Sequence, residues 1–285
     1  LVPALVKKLP RKRVSGYGSG PITPRRRPPR FSRELAILYE DDAVVAVNKP
    51  AGLLAVPAPG SDAPSALSLL AADLNPRRQQ ALVVHRIDRF TSGVLLFAKT
   101  KVDREALVRQ FLAHTPLRQY LAVVRGKLVG GHLDRGHPAG GHPAEKEETL
   151  VHYFRREGMY QELSNERDRK AARAELKYSV ERGLRSASLV RVTLVTGLQN
   201  QIRVQFAALG HPVIGDRKYC PDEASERRIA RVALHAARLE FAHPRSGETV
   251  SVECGLPPDF QSLVKALSPP VSGSKKTQPR RGGRS

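Results

Sequence analysis

The stretch VVHRIDRFTSGVLLFAKT, Val83 to Thr100, sets a polar loop between two apolar runs. Val83-Val84 and Val94 to Phe97 have the composition of short buried strands. His85 to Gly93, between them, is polar and closes on a glycine, as a loop at the rim of a sheet does. Asp88 stands in the middle of that loop with Arg86 and Arg89 on either side. A carboxylate beside arginine keeps a low pKa and stays ionised, which suits a nucleophile or an electrostatic anchor. The same residues fit a structural salt bridge, so this stretch alone leaves both readings open.

Outward from it, the local patterns alternate between strand and helix. LAILYEDDAVVAVNKPAG contains two β-rich runs around Asp41-Asp42, a hairpin signal that ends at Lys49-Pro50-Ala51-Gly52. Ser65 to Leu74 reads as a short helix. Thr100 with Asp103 has the form of a helix start, and the helix is expected to run to about His114 with Leu107, Val108, Phe111 and Leu112 on one face. QYLAVVRG returns to strand, and Ala187 to Thr196 alternates as a half-buried strand. GLQNQIRVQFAALGHP reads as a helix stopped by Gly210 and followed by Pro212. LEFAHPRSGETVSVE is a hairpin around Ser246-Gly247. There is no regular βαβ repeat, so the fold class expected is α+β with a mainly antiparallel sheet.

Charge is unevenly placed along the 285 residues. Lys and Arg number 48 against 27 acidic residues, for a net charge of +21. Leu1 to Arg33 holds ten basic residues and no acidic one, and Ser272 to Ser285 holds five and none. Residues 1–33 and 272–285 are therefore expected to be disordered basic segments flanking a folded domain over 34–271. Such a distribution points to a polyanionic partner, nucleic acid before a membrane surface, since neither tail has an amphipathic helical face. No apolar run is long enough to cross a bilayer. Two cysteines, Cys220 and Cys254, lie far apart in no metal-like spacing, which suggests free thiols in a reducing compartment. His132, His137 and His142 recur every five residues in a Gly- and Pro-rich loop, read as a flexible insertion and not a metal site.

HRIDRFTSG closely resembles the HRLDxxTSG signature of the RluA family of RNA pseudouridine synthases. Further blocks follow in family order: ILYEDDAVVAVNKPAGL, RQYLAVVRG, TGLQNQIRVQFAALGHPVIGDRKY, and ALHAARLEFAHPRSGE. The resemblance spans about Leu35 to Pro258. It implies the pseudouridine synthase catalytic fold, with an active site in a central cleft. It also implies isomerisation of uridine to pseudouridine in ribosomal or transfer RNA, by a monomer using neither cofactor nor metal. By this resemblance Asp88 is the nucleophile, attacking C1′ or C6, and Arg203 is its ion-pair partner. Tyr120 stacks on the target base and assists proton removal from C5. Leu234 packs the other face of the base, and Arg86 fills the space the base vacates or contacts the distorted RNA. A bacterial cytoplasm is the expected compartment, with an organelle matrix as the alternative.

The sequence departs from the family pattern at Leu198, Asn200 and Gln205, where TGRxHQIRVH has Arg and His, and mildly at Ile87. Those changes bear on substrate choice and rate. They also leave a second reading, a catalytically idle RNA-binding or assembly protein on the same scaffold. The short polar N-terminal arm does not suit the S4 RNA-binding module that many relatives carry.

Overall fold

The structure, a computed structural model, describes residues 35–129, 132–133, 147–158, 160–220 and 228–269. The basic segments over 1–33 and 272–285, and most of the histidine loop, lie outside the described residues. Of that loop, only His132-Leu133 is described, pairing with Leu128-Val129.

Each local pattern in the first half of the chain forms its element. Strands β1 (Ala36–Glu40) and β2 (Val44–Lys49) make the expected hairpin. Its turn is closed by Asp41 Oδ1, which accepts from the N–H groups of Ala43 and Val44 at 2.7 and 2.8 Å. Helix α1 (Ala66–Leu74) starts at Ser65, whose hydroxyl accepts from Ser68 N–H while the Ser68 hydroxyl accepts from Ser65 N–H. This reciprocal pair satisfies two donors the first helical turn would otherwise leave open. Strand β3 (Leu82–Val83) and β4 (Ser92–Ala98) flank the Asp88 loop as expected. Helix α2 (Lys101–Leu112) opens at Thr100, which accepts from Asp103 N–H. Its apolar face is narrower than the sequence reading gave: Leu107 is fully buried, but Leu112 is 73% exposed. The reason is positional, since Val108, Phe111 and Leu112 border a cleft and not the core.

Beyond α2 come β5 (Leu117–Arg125), β6 (Leu128–Val129), β7 (His132–Leu133), β8 (Glu148–Glu157), β9 (Tyr160–Ser164), β10 (Ala172–Gly183) and β11 (Ala187–Leu194). Helix α3 (Gln201–Ala208), strands β12 (Leu234–Ala242) and β13 (Thr249–Glu253), and helix α4 (Pro258–Leu267) complete the order. The main sheet runs β1-β2-β4-β12-β5-β11-β10-β8-β9, with β3 beside β4 and β13 beside β12. Every pairing between these strands is antiparallel except β4 with β12; outside them, Leu54 and Ser65 form an isolated parallel bridge. The β4–β12 join consists of His235 opposite Ser92 and Ala236 opposite Gly93. The fold is α+β, a mixed and mainly antiparallel sheet flanked by helices.

Burial explains why β4 is apolar along its length. On one face, Leu95 and Phe97 pack with Val45, Val47 and the α1 residues Leu70 and Leu74. On the other, Leu96 and Ala98 pack with Val44, Ala46 and Leu107 of α2. A strand covered on both faces needs no polar alternation. A larger core lies beyond the join, where Ala122, Val124, Val190 and Val192 meet Ile202 and Phe206 of α3 and Phe260 and Leu263 of α4.

Candidate active site

The β3–β4 loop carries Asp88 because β4, paired with β2 along one edge, changes neighbour along the other. Its C-terminal end pairs with β3 and its N-terminal end with β12, and the intervening chain, Val84 to Thr91, crosses between them. Gly93 makes the crossing possible. Its φ is +111°, and a Cβ there would lie 2.1 Å from the carbonyl oxygen of Ala236. Only glycine permits that backbone contact. Beside it, Ser92 Oγ bonds His235 Nδ1 at 2.9 Å, and His235 Nε2 bonds the Cys254 carbonyl at 3.0 Å. The carbonyl can only accept, so Nε2 carries the proton and Nδ1 accepts from Ser92.

A second clasp holds the loop from the β2 side. Lys49 is fully buried and its Nζ donates to the carbonyls of Pro50, Leu53 and Arg89. Arg89 and Gly52 also exchange bonds: Arg89 Nε donates to Gly52 O, and Gly52 N–H donates to Arg89 O. Burial pushes the Lys49 ammonium down to about 7, against the opposing pull of the Asp88 charge. Asp88 keeps its backbone in a tight turn by accepting from Thr91 N–H, and its side chain is 25% exposed.

Arg203 reaches Asp88 from α3. Its Nη1 lies 3.2 Å from Asp88 Oδ2, the pairing expected from the sequence. That contact is not its main one. Nε and Nη2 donate to the two oxygens of Asp216 at 2.7 and 2.8 Å, a bidentate grip on a carboxylate that is 1% exposed. Asp216 Oδ1 also accepts from the N–H groups of Lys218 and Tyr219. Arg203 is thus anchored by Asp216 and presents its remaining edge to Asp88. Charge-assisted bonds of this kind fix geometry as well as charge.

The positions that depart from the family pattern prove occupied. Asn200, in the left-handed region at φ 57°, accepts from Arg203 Nη1 at 2.8 Å and donates to Tyr219 Oη at 3.0 Å. Gln205 Nε2 donates to the Leu150 carbonyl, tying α3 to β8. Leu198 packs on the cluster of Phe154, Ala174 and Val204.

Asp88, Arg86, Tyr120, Arg203 and Leu234 all line one cavity of about 800 Å³. Tyr120 projects from β5, and burial pushes its phenol up to about 12, so it is a neutral phenol at neutral pH. Leu234, at the start of β12, is 4% exposed. Arg86 is exposed and makes no ion pair with Asp88. His85 also borders the cavity. Its Nε2 accepts from Leu96 N–H, its ring stacks on Phe111 at 4.5 Å, and burial together with the Arg118 charge lowers it to about 3. The sequence reading missed Lys49, His85, Arg118 and Asp216 as parts of this site. Their signals were present in the motif blocks, but pairing across the fold decides their roles.

No helix among the described residues is long and apolar enough to cross a membrane, and no cluster of His, Cys, Asp and Glu suited to a metal occurs among them. Cys254 is a buried free thiol.

Similarity to known proteins matches this geometry. Residues 43–208 match the RNA pseudouridylate synthase family. The chain is 39% identical over 250 residues to the ribosomal large subunit pseudouridine synthase D of Xanthomonas campestris, covering 82% of this chain and 69% of that one. It is 35% identical over 239 residues to an uncharacterised RNA pseudouridine synthase of Bacillus subtilis, covering 82% and 73%. Among solved structures, human RNA pseudouridylate synthase domain containing 1 superposes with a TM-score of 0.59 at 26% identity, over 82% of this chain and 94% of that one. The human domain containing 4 gives 0.62 at 21% identity, a likeness of fold, over 81% and 92%. The loop that carries Asp88, the arginine that reaches it and this extent of similarity lead to one conclusion: the chain belongs to the RluA-type RNA pseudouridine synthases, which isomerise uridine to pseudouridine within RNA.

Proposed function

We propose that Asp88 is the nucleophile of the isomerisation and that the target uridine enters the 800 Å³ cavity with its base between Tyr120 and Leu234. The observation that carries this reading is the arrangement around Arg203. One donor edge is locked on buried Asp216, and the other holds an Asp88 oxygen at 3.2 Å inside that cavity. An ionised carboxylate with a fixed rotamer can attack C1′ or C6 of the nucleotide. The N1–C1′ bond breaks, the uracil turns and C5 bonds to C1′; the carboxylate is released, displaced from C1′ as C5 bonds there or eliminated from C6 afterwards, and the C5 proton is lost while N1 gains one. Atoms and electrons balance within the nucleotide and water. Tyr120, a phenol with a pKa near 12, serves as a stacking surface and hydrogen-bond donor and not as a phenolate base. Extracting the base from its stack costs a few kcal/mol. Arg86, exposed at the cavity, contacts the RNA at that point.

The substrate proposed is large-subunit ribosomal RNA, because the Xanthomonas campestris relative carries that name. The catalytic unit proposed is a monomer, since all five residues come from one chain. Tritium release from RNA labelled at uridine C5 tests both substrate and chemistry. Wild-type protein should release tritium from large-subunit ribosomal transcripts and not from transfer RNA, and Asp88→Asn should release less than about a tenth as fast on a charge-for-amide exchange. A rate above that in Asp88→Asn would remove the carboxylate from the reaction.

A further inference from the structure

Arg118 is a cation out of place. It sits on β5 two residues before Tyr120, so both side chains leave the same face of the strand about 7 Å apart. It is 8% exposed and it lines the same cavity. Nη2 donates to the carbonyl of Val195 at 3.1 Å, and Nε is buried with no partner. Every other buried arginine with its guanidinium in this part of the fold is matched by a carboxylate: Arg203 by Asp216, and Arg231 by Asp259. No carboxylate of a described residue lies in ion-pair distance of Arg118.

Its position is nevertheless built with care. The guanidinium lies over the Phe111 ring at 6.0 Å, and Phe111 stacks in turn on the neutral His85. A Cβ on Gly197 would come within 2.5 Å of Nη1, so the backbone there closes on the guanidinium without a side chain between them. Arg118 and Tyr120 also border a separate small void of about 10 Å³. That is at the lower limit for one water, too small for a counter-ion. A buried charge without an anion is costly, and a fold that keeps one in a ligand cavity gains from the ligand's charge.

We propose that Arg118 is the anion subsite of the cavity and takes a phosphodiester that flanks the target uridine. The inference rests on the target base occupying the space beside Tyr120. A phosphodiester matches the planar fork of a guanidinium, whereas a uracil carbonyl carries no charge to offset the desolvated cation. The spacing along β5 places base and phosphate recognition on one strand face: Tyr120 holds the ring while Arg118 holds the backbone. Arg118 is here a binding residue, and Asp88 does the chemistry.

The test measures binding, so it does not depend on which residue is the nucleophile or on which RNA is modified in the cell. The probes are short single-stranded RNAs with one uridine, in which each flanking phosphate is replaced in turn by an uncharged methylphosphonate. Wild-type full-length protein should lose about tenfold or more in affinity at one flanking position, as expected for a charge-assisted bond. Arg118→Gln should bind the natural probe at that weakened level and show no further loss on neutralising the same phosphate. Arg118→Lys should keep part of the discrimination. A change of packing alone would lower affinity for all probes equally and leave the ratio between them untouched. If Arg118→Gln retains the wild-type ratio, or if wild type is indifferent to both flanking charges, the subsite is not where we place it.

Discussion

Replacing Arg203 by lysine probes the junction on which the site depends. The arginine makes two bonds to Asp216 at 2.7 and 2.8 Å, one to Asp88 at 3.2 Å and one to Asn200 at 2.8 Å. A lysine ammonium is a point charge on a flexible stem and cannot span two carboxylates on opposite edges. Asp216 is 1% exposed and further fixed by two backbone N–H groups, so the ammonium should remain with it. One bond of the bidentate grip is then lost, and Asp88 loses its cation. At about 1.5–3 kcal/mol for each bond to a charged group, and with partial rescue by water at partly exposed Asp88, the cost to folding should be roughly 2–4 kcal/mol. Removing the partner altogether, as in Arg203→Ala, should cost about 3–5 kcal/mol because Asp216 is left as an uncompensated buried charge. On the rate, losing the bond that orients Asp88 should lower kcat by about ten- to a hundredfold. Urea denaturation gives the stability change, and single-turnover tritium release at saturating RNA gives the rate. A lysine variant with the wild-type rate and an unchanged midpoint would show that neither carboxylate relies on the guanidinium geometry.

Further outcomes follow from other parts of the molecule. Gly93→Ala should lower stability by more than about 4 kcal/mol, the range of a severe backbone clash, and a thermal melt matching wild type would contradict the close approach to Ala236. His85 is lowered to about 3 from 6.5, so the unfolded chain binds the extra proton first. Its contribution is full above pH 6.5 and is lost as pH falls toward 3, by at most about 1.4 kcal/mol per pH unit. A His85→Gln variant should flatten that part of the stability profile, and an unchanged slope would exclude His85 as its source. Removing residues 1–33, with their ten cations, should reduce the slope of log K against log salt by roughly two to four on single-stranded RNA. Filter binding across a salt series measures it, and an unchanged slope would show that the segment does not touch RNA.

Much of this architecture is legible in the chain because its signals are local. The Asp41 turn, the Ser65 and Thr100 helix starts, the alternation in β11 and the Gly210 stop each act within a few residues, and each forms where its pattern lies. Strands β8 and β9 are less legible, because few of their positions are buried and the period-two contrast is weak. β10 does alternate, with Ala174, Leu176 and Tyr178 buried between Arg173, Glu175 and Lys177, a signal the sequence reading passed over. Helix α4 carries a readable stripe in Phe260, Leu263, Val264 and Leu267, yet it begins at Pro257-Pro258, which reads first as a break. The partner of Arg203 illustrates the limit for the site. Asp88 is 115 positions away and follows from resemblance, while Asp216, only 13 positions away, makes the stronger bonds and gives no local sign of it.

The nonapeptide around Asp88 serves two separate ends, and the structure divides its residues between them. Ser92 and Gly93 belong to the sheet: one bonds His235, the other admits Ala236, and together they make the only parallel pairing among the described strands. Arg86 and Asp88 belong to the cavity, and Arg89 is the link, since its carbonyl accepts from Lys49 and from Gly52. Asp88, the proposed nucleophile, therefore sits between two fixed points, the β4–β12 join on one side and the Lys49 clasp on the other. A loop held at both ends cannot relax away from an ion pair at 3.2 Å without breaking one of them. The carboxylate is thus placed before substrate arrives, and the ordering cost falls on folding and not on the reaction. Changes at Ser92, Gly93 or Lys49 should accordingly lower activity and stability together, whereas a change at Asp88 should separate the two.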